Sequence, residues 1–339
     1  MVGKHLFRLL TRGLAVALIG ANVRPVSAGD LPTVETIRRE AGAVWDKVMA
    51  RGWVVESEGE NRPEGANPPA AAINRTKVHI QWKPPHFRWV SEGVGDGPQP
   101  GNVMVKNPAY EFKLVRRTPG TADWALKGWK KTDAPPEQGY RPIRDNTGSM
   151  GMFAHLTVTA QPLAQVLAGD GYVFAAPVAS PANPGMVRLS YTGEIQPRPE
   201  LSVAASGWVD LDPATGWSVR EREERSAETF PQANVTRNYT NRSRYDVVVD
   251  GDGIPVLRRS EGRFSAEGQS PTVGTATFDT RSVAAVNDAD FRLTAFGLPE
   301  PEGAARSGVP TYLWVIGIAA VSGGLAFAFR RLAAGRGRS

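Results

Sequence analysis

The first clear periodicity in the chain lies at residues 33–51. Ile37, Ala41, Val44 and Val48 recur there at helical spacing and mark a single apolar face. Pro32 stands before the segment and Gly52 after it, which predicts an amphipathic helix over 33–51 with a glycine cap. Residues 58–72 are rich in Gly, Pro, Asn and Glu and read as a spacer. Beyond them the period drops to two. Val78, Ile80 and Trp82 share one parity, Phe87 and Trp89 follow Pro84-Pro85, and Val103 with Val105 opens a further run. Tyr110, Phe112 and Leu114 continue it after Asn107-Pro108, and Trp124 with Leu126 adds a short one. Such alternation describes antiparallel strands with one covered face. Residues 161–167 read as a second, short helix packed on the sheet.

The second half repeats the strand pattern. Residues 186–195 form one run. Trp208 to Leu211 and Trp217 to Val219 flank a turn in which Pro213 presets φ and Gly216 accepts positive φ. Residues 245–249 and 254–257 flank Asp250-Gly251-Asp252-Gly253, a strong hairpin signal. A last run covers 272–280. The fold class expected is therefore mainly β (α+β). It consists of one large, curved, half-barrel-like antiparallel sheet led by an N-terminal amphipathic helix.

The two ends carry different signals. Residues 1–28 have a basic start (Lys4, Arg8, Arg12), an apolar run from 13 to 23 and small residues before Gly29, the pattern of a secretory signal peptide. Residues 311–329 contain no charge, with Tyr312 and Trp314 at one end and Arg330 and Arg331 at the other. This predicts a transmembrane helix over 309–329 and a basic cytoplasmic tail over 330–339, with the body, 29–308, on the extracytoplasmic side. Ala320, Gly324 and Ala328 recur every four residues in that span, a stripe that would suit a homodimer.

Composition narrows the function. The net charge of +6 and sequence pI near 9.6 suggest nucleic acid, but eight of the 40 basic residues lie in the two terminal segments. Between them the 34 acidic residues slightly outnumber the basic ones, so no strong positive field is available for a phosphate backbone. Cysteine is absent, which excludes thiolate metal sites and a cysteine nucleophile. No metal or cofactor is expected.

The charged clusters read as structure. Asp210 and Asp212 face Glu221, Glu223 and Glu224 across one hairpin, but the acids interleave with Arg220, Arg222 and Arg225, as cross-strand ion pairs do. Asp250-Gly251-Asp252-Gly253 opens like a calcium loop and Glu261 stands at its twelfth position. Ile254 and Pro255 occupy positions that need an oxygen ligand and a glycine, so a hairpin turn is expected. His155 with Ser149 and Asp145 is the one near-sequence set for nucleophilic catalysis, without a Gly-x-Ser-x-Gly elbow. The chain is read as a binding protein rather than an enzyme. A cell-envelope hydrolase is the alternative, and a surface protein with a C-terminal sorting signal another.

Several phrases occur together: Asn107-Pro108-Ala109-Tyr110-Glu111-Phe112-Lys113-Leu114, Trp124-Ala125-Leu126, Leu211-Asp212-Pro213 with Trp217, and Phe291-Arg292-Leu293 running into Ala295-Phe296-Gly297-Leu298-Pro299-Glu300-Pro301. Across much of 75–301 they resemble a group of secreted, single-span proteins abundant in planctomycete bacteria, which implies no particular activity. A leading helix before a long antiparallel sheet is similar to the periplasmic lipoprotein carriers of the LolA and RseB kind. That likeness implies a half-barrel that holds acyl chains. Pro299-Glu300-Pro301 ahead of an apolar span resembles the PEP-CTERM sorting signal, but nine residues intervene, so it is read as a juxtamembrane linker. The aromatic residues Trp82, Phe87, Trp89, Tyr110, Phe112 and Trp124 are the expected ligand-binding set. The expected partners are the membrane and a lipid, a lipoprotein or another envelope protein.

Overall fold

The computed structural model describes residues 31–65, 72–94, 101–116, 118, 121–133, 152–159, 161–198, 201–231 and 234–301. Helix α1 (Val34–Met49) is capped by Thr33, whose hydroxyl accepts a hydrogen bond from the Thr36 amide at 3.1 Å. It ends at Ala50 rather than at a glycine cap. Gly52 instead opens the first strand, where a Cβ would stand 2.8 Å from the Val283 carbonyl oxygen.

Two meanders build the sheet. The first comprises β1 (Gly52–Pro63), β2 (Asn74–Lys83), β3 (His86–Val94), β4 (Asn102–Lys106), β5 (Tyr110–Arg116) and β6 (Trp124–Lys131). A 3-10 turn (Ala154–Leu156), the small hairpin β7 (Thr157–Val158) and β8 (Gln161–Pro162), and helix α2 (Leu163–Ala168) follow. Then come two short edge strands, β9 (Tyr172–Phe174) and β10 (Val178–Ala179). The second meander is β11 (Val187–Arg198), β12 (Leu201–Asp212), β13 (Ser218–Phe230), β14 (Val235–Val249), β15 (Pro255–Ala266) and β16 (Thr272–Val283). Pairing of β16 with β1 joins the two into one 14-stranded antiparallel sheet, which runs from β10 through β16 and β1 to β6, with β9 also on β11.

Three expectations change. The spacer read at 58–72 is in its first part strand: β1 runs to Pro63, paired with β2 and β16 on its two sides. The second helix starts at Leu163, because Gln161 and Pro162 pair with β7. Most consequentially, the sheet does not have a single covered face. Residues directly opposite in an antiparallel pair project to the same side, so the registers assign each stripe. Trp53, Trp82 and Phe87 share one face, with Val55, Ile80, Trp89 and Met104 in the next row. Val90 pairs with Val103, Val103 with Leu114, and Val105 with Phe112, all on the other face.

Helices cover the first face. Ile37 and Ala41 of α1, with Leu163 and Val166 of α2, pack on Leu189, Val209, Leu211 and Val219. Val48 packs on Trp53, Val55, Ile80 and Trp82, and Phe278 of β16 joins the two clusters. The helices approach closely at Gly42, where a Cβ would lie 3.5 Å from that of Ala164. The opposite face of β3–β6 is covered by the last described segment, residues 286–301, with its 3-10 turns Asp288–Phe291 and Leu293–Phe296. Phe291 and Leu293 are buried there against Val103, Val105, Tyr110, Phe112 and Leu114. We call this segment the strap.

The strap corrects the reading of Pro299-Glu300-Pro301 as linker. Glu300 accepts hydrogen bonds from the Tyr110 hydroxyl and, at 3.3 Å each, from the amide and hydroxyl of Thr294. The Asn107 side chain donates to the Phe291 carbonyl at 2.7 Å and accepts from the Ala109 and Tyr110 amides. Burial and the neighbouring Glu300 push the Tyr110 hydroxyl pKa up to about 12. A raised pKa means the neutral phenol stabilises the fold below its ordinary pKa of 10, and that contribution is lost as pH rises through about 12. Tyr110→Phe is expected to cost about 1–3 kcal/mol at neutral pH and to abolish this alkaline step. Denaturant unfolding from pH 8 upward measures both.

The leader (1–28), the span (309–329) with its stripe Ala320, Gly324 and Ala328, and the tail (330–339) lie outside the described residues. Among the described residues no helix is long and apolar enough to cross a membrane.

Candidate functional site

The six aromatic residues expected to form one site lie on two faces. Trp82 and Phe87 are buried on the helix-bearing face, where Phe153 packs edge-on against Trp82, Trp53 and Trp45 at 5.8–5.9 Å. Trp89 lies on the same face one row further along β3 and is only partly buried. Tyr110, Phe112 and Trp124 belong to the strap face, under Phe291, Leu293 and Phe296. Of the six, therefore, Trp89 is the one at the margin of the helix-covered core rather than inside a packed cluster on that face.

What sequence reasoning missed is the surface beside Trp89. Moving along the strands away from α1, the next rows of the same face lose their large side chains. Ser57 stands between Val78 and Phe278, Gly59 pairs with Ala276, and Ala276 pairs with Ser260. One row further, Asn61, Gly274, Gly262 and Ser243 lie side by side on β1, β16, β15 and β14. A Cβ on Gly59 or Gly262 would meet only atoms of neighbouring strands within 4 Å, so among the described residues no other element rests on this floor there. At Gly274 a Cβ would sit 2.3 Å from the Asn61 side-chain oxygen, so that side chain lies over the glycine and would have to turn aside.

This floor has distinct borders. On one side are Trp89, Met104, Val78 and Phe278, all partly buried and apolar. On the other, Phe264 stacks on Tyr239 at 5.8 Å and is 44% exposed. Between the floor and the α1–α2 core stands Arg222, in register with Ser243, with its guanidinium 5.6 Å from the Tyr245 ring. It donates weakly to the Thr157 carbonyl at 3.4 Å, and its Nε is buried without a hydrogen-bond partner among the described residues. Glu224 accepts from the Tyr191 hydroxyl at 3.0 Å, and burial with this carboxylate raises the hydroxyl's pKa. The arrangement is a shallow apolar and small-residue platform with a polar margin. Its signal in the sequence is the loss of large side chains from the inward parity of β1, β15 and β16.

The remaining candidate chemistry is structural. Asp210 and Glu221 lie on the strap side of the sheet and form the expected cross-strand pairs, but they are buried rather than solvated. Arg188 grips Asp210 at 2.6 and 2.8 Å, and Arg242 grips Glu221 at 3.0 and 2.7 Å. Asp250 closes the predicted hairpin by accepting from the Asp252 and Ile254 amides at 2.9 Å. His155 is fully buried, with Nε2 3.1 Å from the Pro255 carbonyl, and burial lowers its pKa to about 4. It has no access to a substrate, and Ser149 and Asp145 lie outside the described residues. Shallow grooves of about 390–580 Å³ cross the strap side of β14–β16 and β1–β3, but their walls are ion-paired side chains such as Arg75–Glu60 and Lys77–Glu58.

No protein-family model matches the chain, and no curated protein matches it. Among solved structures it is similar to a DUF1329 family protein from Desulfovibrio piger, with a TM-score of 0.43 and 9% identity over 78% of this chain and 98% of the other. A domain from Vibrio parahaemolyticus described as an outer membrane lipoprotein-sorting protein gives a TM-score of 0.41 and 8% identity, over 78% of this chain and all of its own. A LolA superfamily protein from Nitrosomonas europaea gives 0.37 and 11%, over 77% and 98%.

Proposed function

We propose that the protein is an extracytoplasmic binding module, tethered to the cytoplasmic membrane, that holds the acyl chain of a lipid or lipoprotein on the platform beside Trp89. One observation carries the reading. Trp89, Met104, Val78 and Phe278 form an apolar border that the helices leave partly open, and it continues onto a floor of Gly59, Gly262 and Ala276. A flexible methylene chain gains from apolar contact without needing directional partners. Glycine and alanine let it lie close to the backbone.

Full-length protein incubated with a palmitic acid carrying a photoactivatable diazirine tests this. Crosslinks are expected on peptides containing Val78, Trp89, Met104 or Phe278, and Trp89→Glu should lower their yield about tenfold, because it places a charge against the chain. Crosslinks spread over the surface, or a yield unchanged in Trp89→Glu, would sink the reading.

A further inference from the structure

Among the described residues the sheet ends on one side at β6, an edge strand of sequence Trp-Ala-Leu-Lys-Gly-Trp-Lys-Lys. It carries Lys127, Lys130 and Lys131 and no acid, with Asp123 and Asp133 just beyond its ends. Leu126 pairs with Leu114 and projects to the strap face, yet is 44% exposed. Trp124 and Trp129 flank it on that face. Each is partly buried, Trp124 under the Arg116 guanidinium at 4.4 Å and Trp129 edge-on to Tyr110 at 6.4 Å. Exposed leucine, two indoles and clustered lysines along one edge are the composition of a surface that sits at a bilayer interface.

A membrane on this side rests on the membrane tether of the proposed function and on the length of chain beyond the strap. The strap runs over the same face, and its last described residues are fixed by the bonds of Glu300 to Tyr110 and Thr294. Only residues 302–310 separate it from the uncharged stretch 311–329. Nine residues reach at most about 30 Å, so a span in that stretch keeps the strap face close to the bilayer. With the last described residues packed on this face, β6 is the sheet edge beside them.

We propose that the β6 edge is a membrane-contact surface, its lysines on anionic lipid phosphates and Leu126 and the indoles at the headgroup level. The body is thereby held in one orientation on the bilayer, which the acyl-chain reading does not require.

The chain has no cysteine, so Leu126→Cys and Val249→Cys each provide a single labelling site. Val249 is equally exposed at 44%, and its strand is far from β6 in the sheet order. Full-length protein is reconstituted into vesicles containing phosphatidylglycerol and brominated lipid, with a fluorophore at either position. The label at 126 should be quenched at least about twofold more than the label at 249, and Lys127→Glu with Lys131→Glu should remove that difference. Equal quenching at the two positions overturns the proposal. So does quenching at 126 that charge reversal leaves unchanged, since the lysines would then only guard an open sheet edge against pairing. Protection of residue 126 that grows with protein concentration and not with phosphatidylglycerol also overturns it, in favour of a second copy.

Discussion

Asp210→Ala is expected to destabilise the fold by about 3–5 kcal/mol, the cost of breaking a buried pair from one side. The Asp210 side chain is 0% exposed and its partner Arg188 17%. Burial alone would raise the carboxyl's pKa, but the hydrogen bonds from Arg188, Ser180 and Asn183 more than offset it and leave the pKa below the usual value. Removing the carboxylate takes its hydrogen-bonded countercharge from the Arg188 guanidinium, which lies 3.7 Å from the Trp208 ring, and leaves it only the electrostatic influence of Glu221 and Glu223. It also frees the Ser180 hydroxyl and the Asn183 amide, bonded to Asp210 at 2.7 and 2.8 Å. Because the folded pKa is depressed, the stabilisation is present above the unfolded carboxylate pKa of about 3.9 and fades as pH falls through the folded value. Urea unfolding at pH 7 should show the full loss, and the gap between wild type and Asp210→Asn should close in acid. Lys77→Ala, in a pair that is 58% and 66% exposed, should change stability by no more than about 0.5 kcal/mol. Equal effects of the two alanine variants would contradict the assignment.

Phe153→Ala should cost a similar ~3–5 kcal/mol, the range for deleting a buried aromatic side chain. The ring is 1% exposed and touches Trp45 of α1, Trp53 of β1 and Trp82 of β2, each edge-on. It therefore joins the helix to the sheet through the turn that also holds His155 and Leu156. Calorimetry measures the loss. Near-ultraviolet circular dichroism should lose tryptophan signal in the still-folded variant at low temperature, because three indoles lose their common neighbour. A variant of unchanged stability would mean that α1 is held on the sheet without this ring.

Periodicity within single elements was readable from the sequence. The helix at 34–49, the strand parities and the two hairpin turns follow from local pattern and turn chemistry. Strand β1 was not legible, because Glu58, Gly59, Glu60 and Asn61 have loop composition. What makes them strand is their partners: Lys77 and Arg75 pair with the glutamates on one face, and Ala276 and Gly274 sit beside Gly59 and Asn61 on the other. The six aromatic residues divide between two faces for a related reason. Alternation states which residues of one strand share a side, but not which side of the sheet that is. Phe87 and Trp89 point to the helices, whereas the apolar stripe of β4 pairs with Val90 and points to the strap. That reversal depends on a register between strands and on a covering segment some 180 residues away, as in the Asn107–Phe291 bond. Equally, the phrases from 107 to 114, at 124 and from 291 to 301 that stood out in the sequence converge on one packed unit under the strap.

The junction of β16 with β1 has a consequence for how the chain reaches this state. Arg281 and Glu56 meet across it although 225 positions separate them. The middle of the sheet is thus its most non-local part, and loop closure of that length makes for slow folding. During synthesis, β1 to β6 emerge long before the partner of β1 exists, so β1 spends that interval with one bare edge. Its composition fits that wait. Glu56, Glu58 and Glu60 along one side of the strand, with glycine at 59, give an unpaired edge too charged and too weakly β-forming to recruit another chain. The residues that made β1 look like a loop are therefore also those that keep the half-made sheet from pairing with the wrong partner.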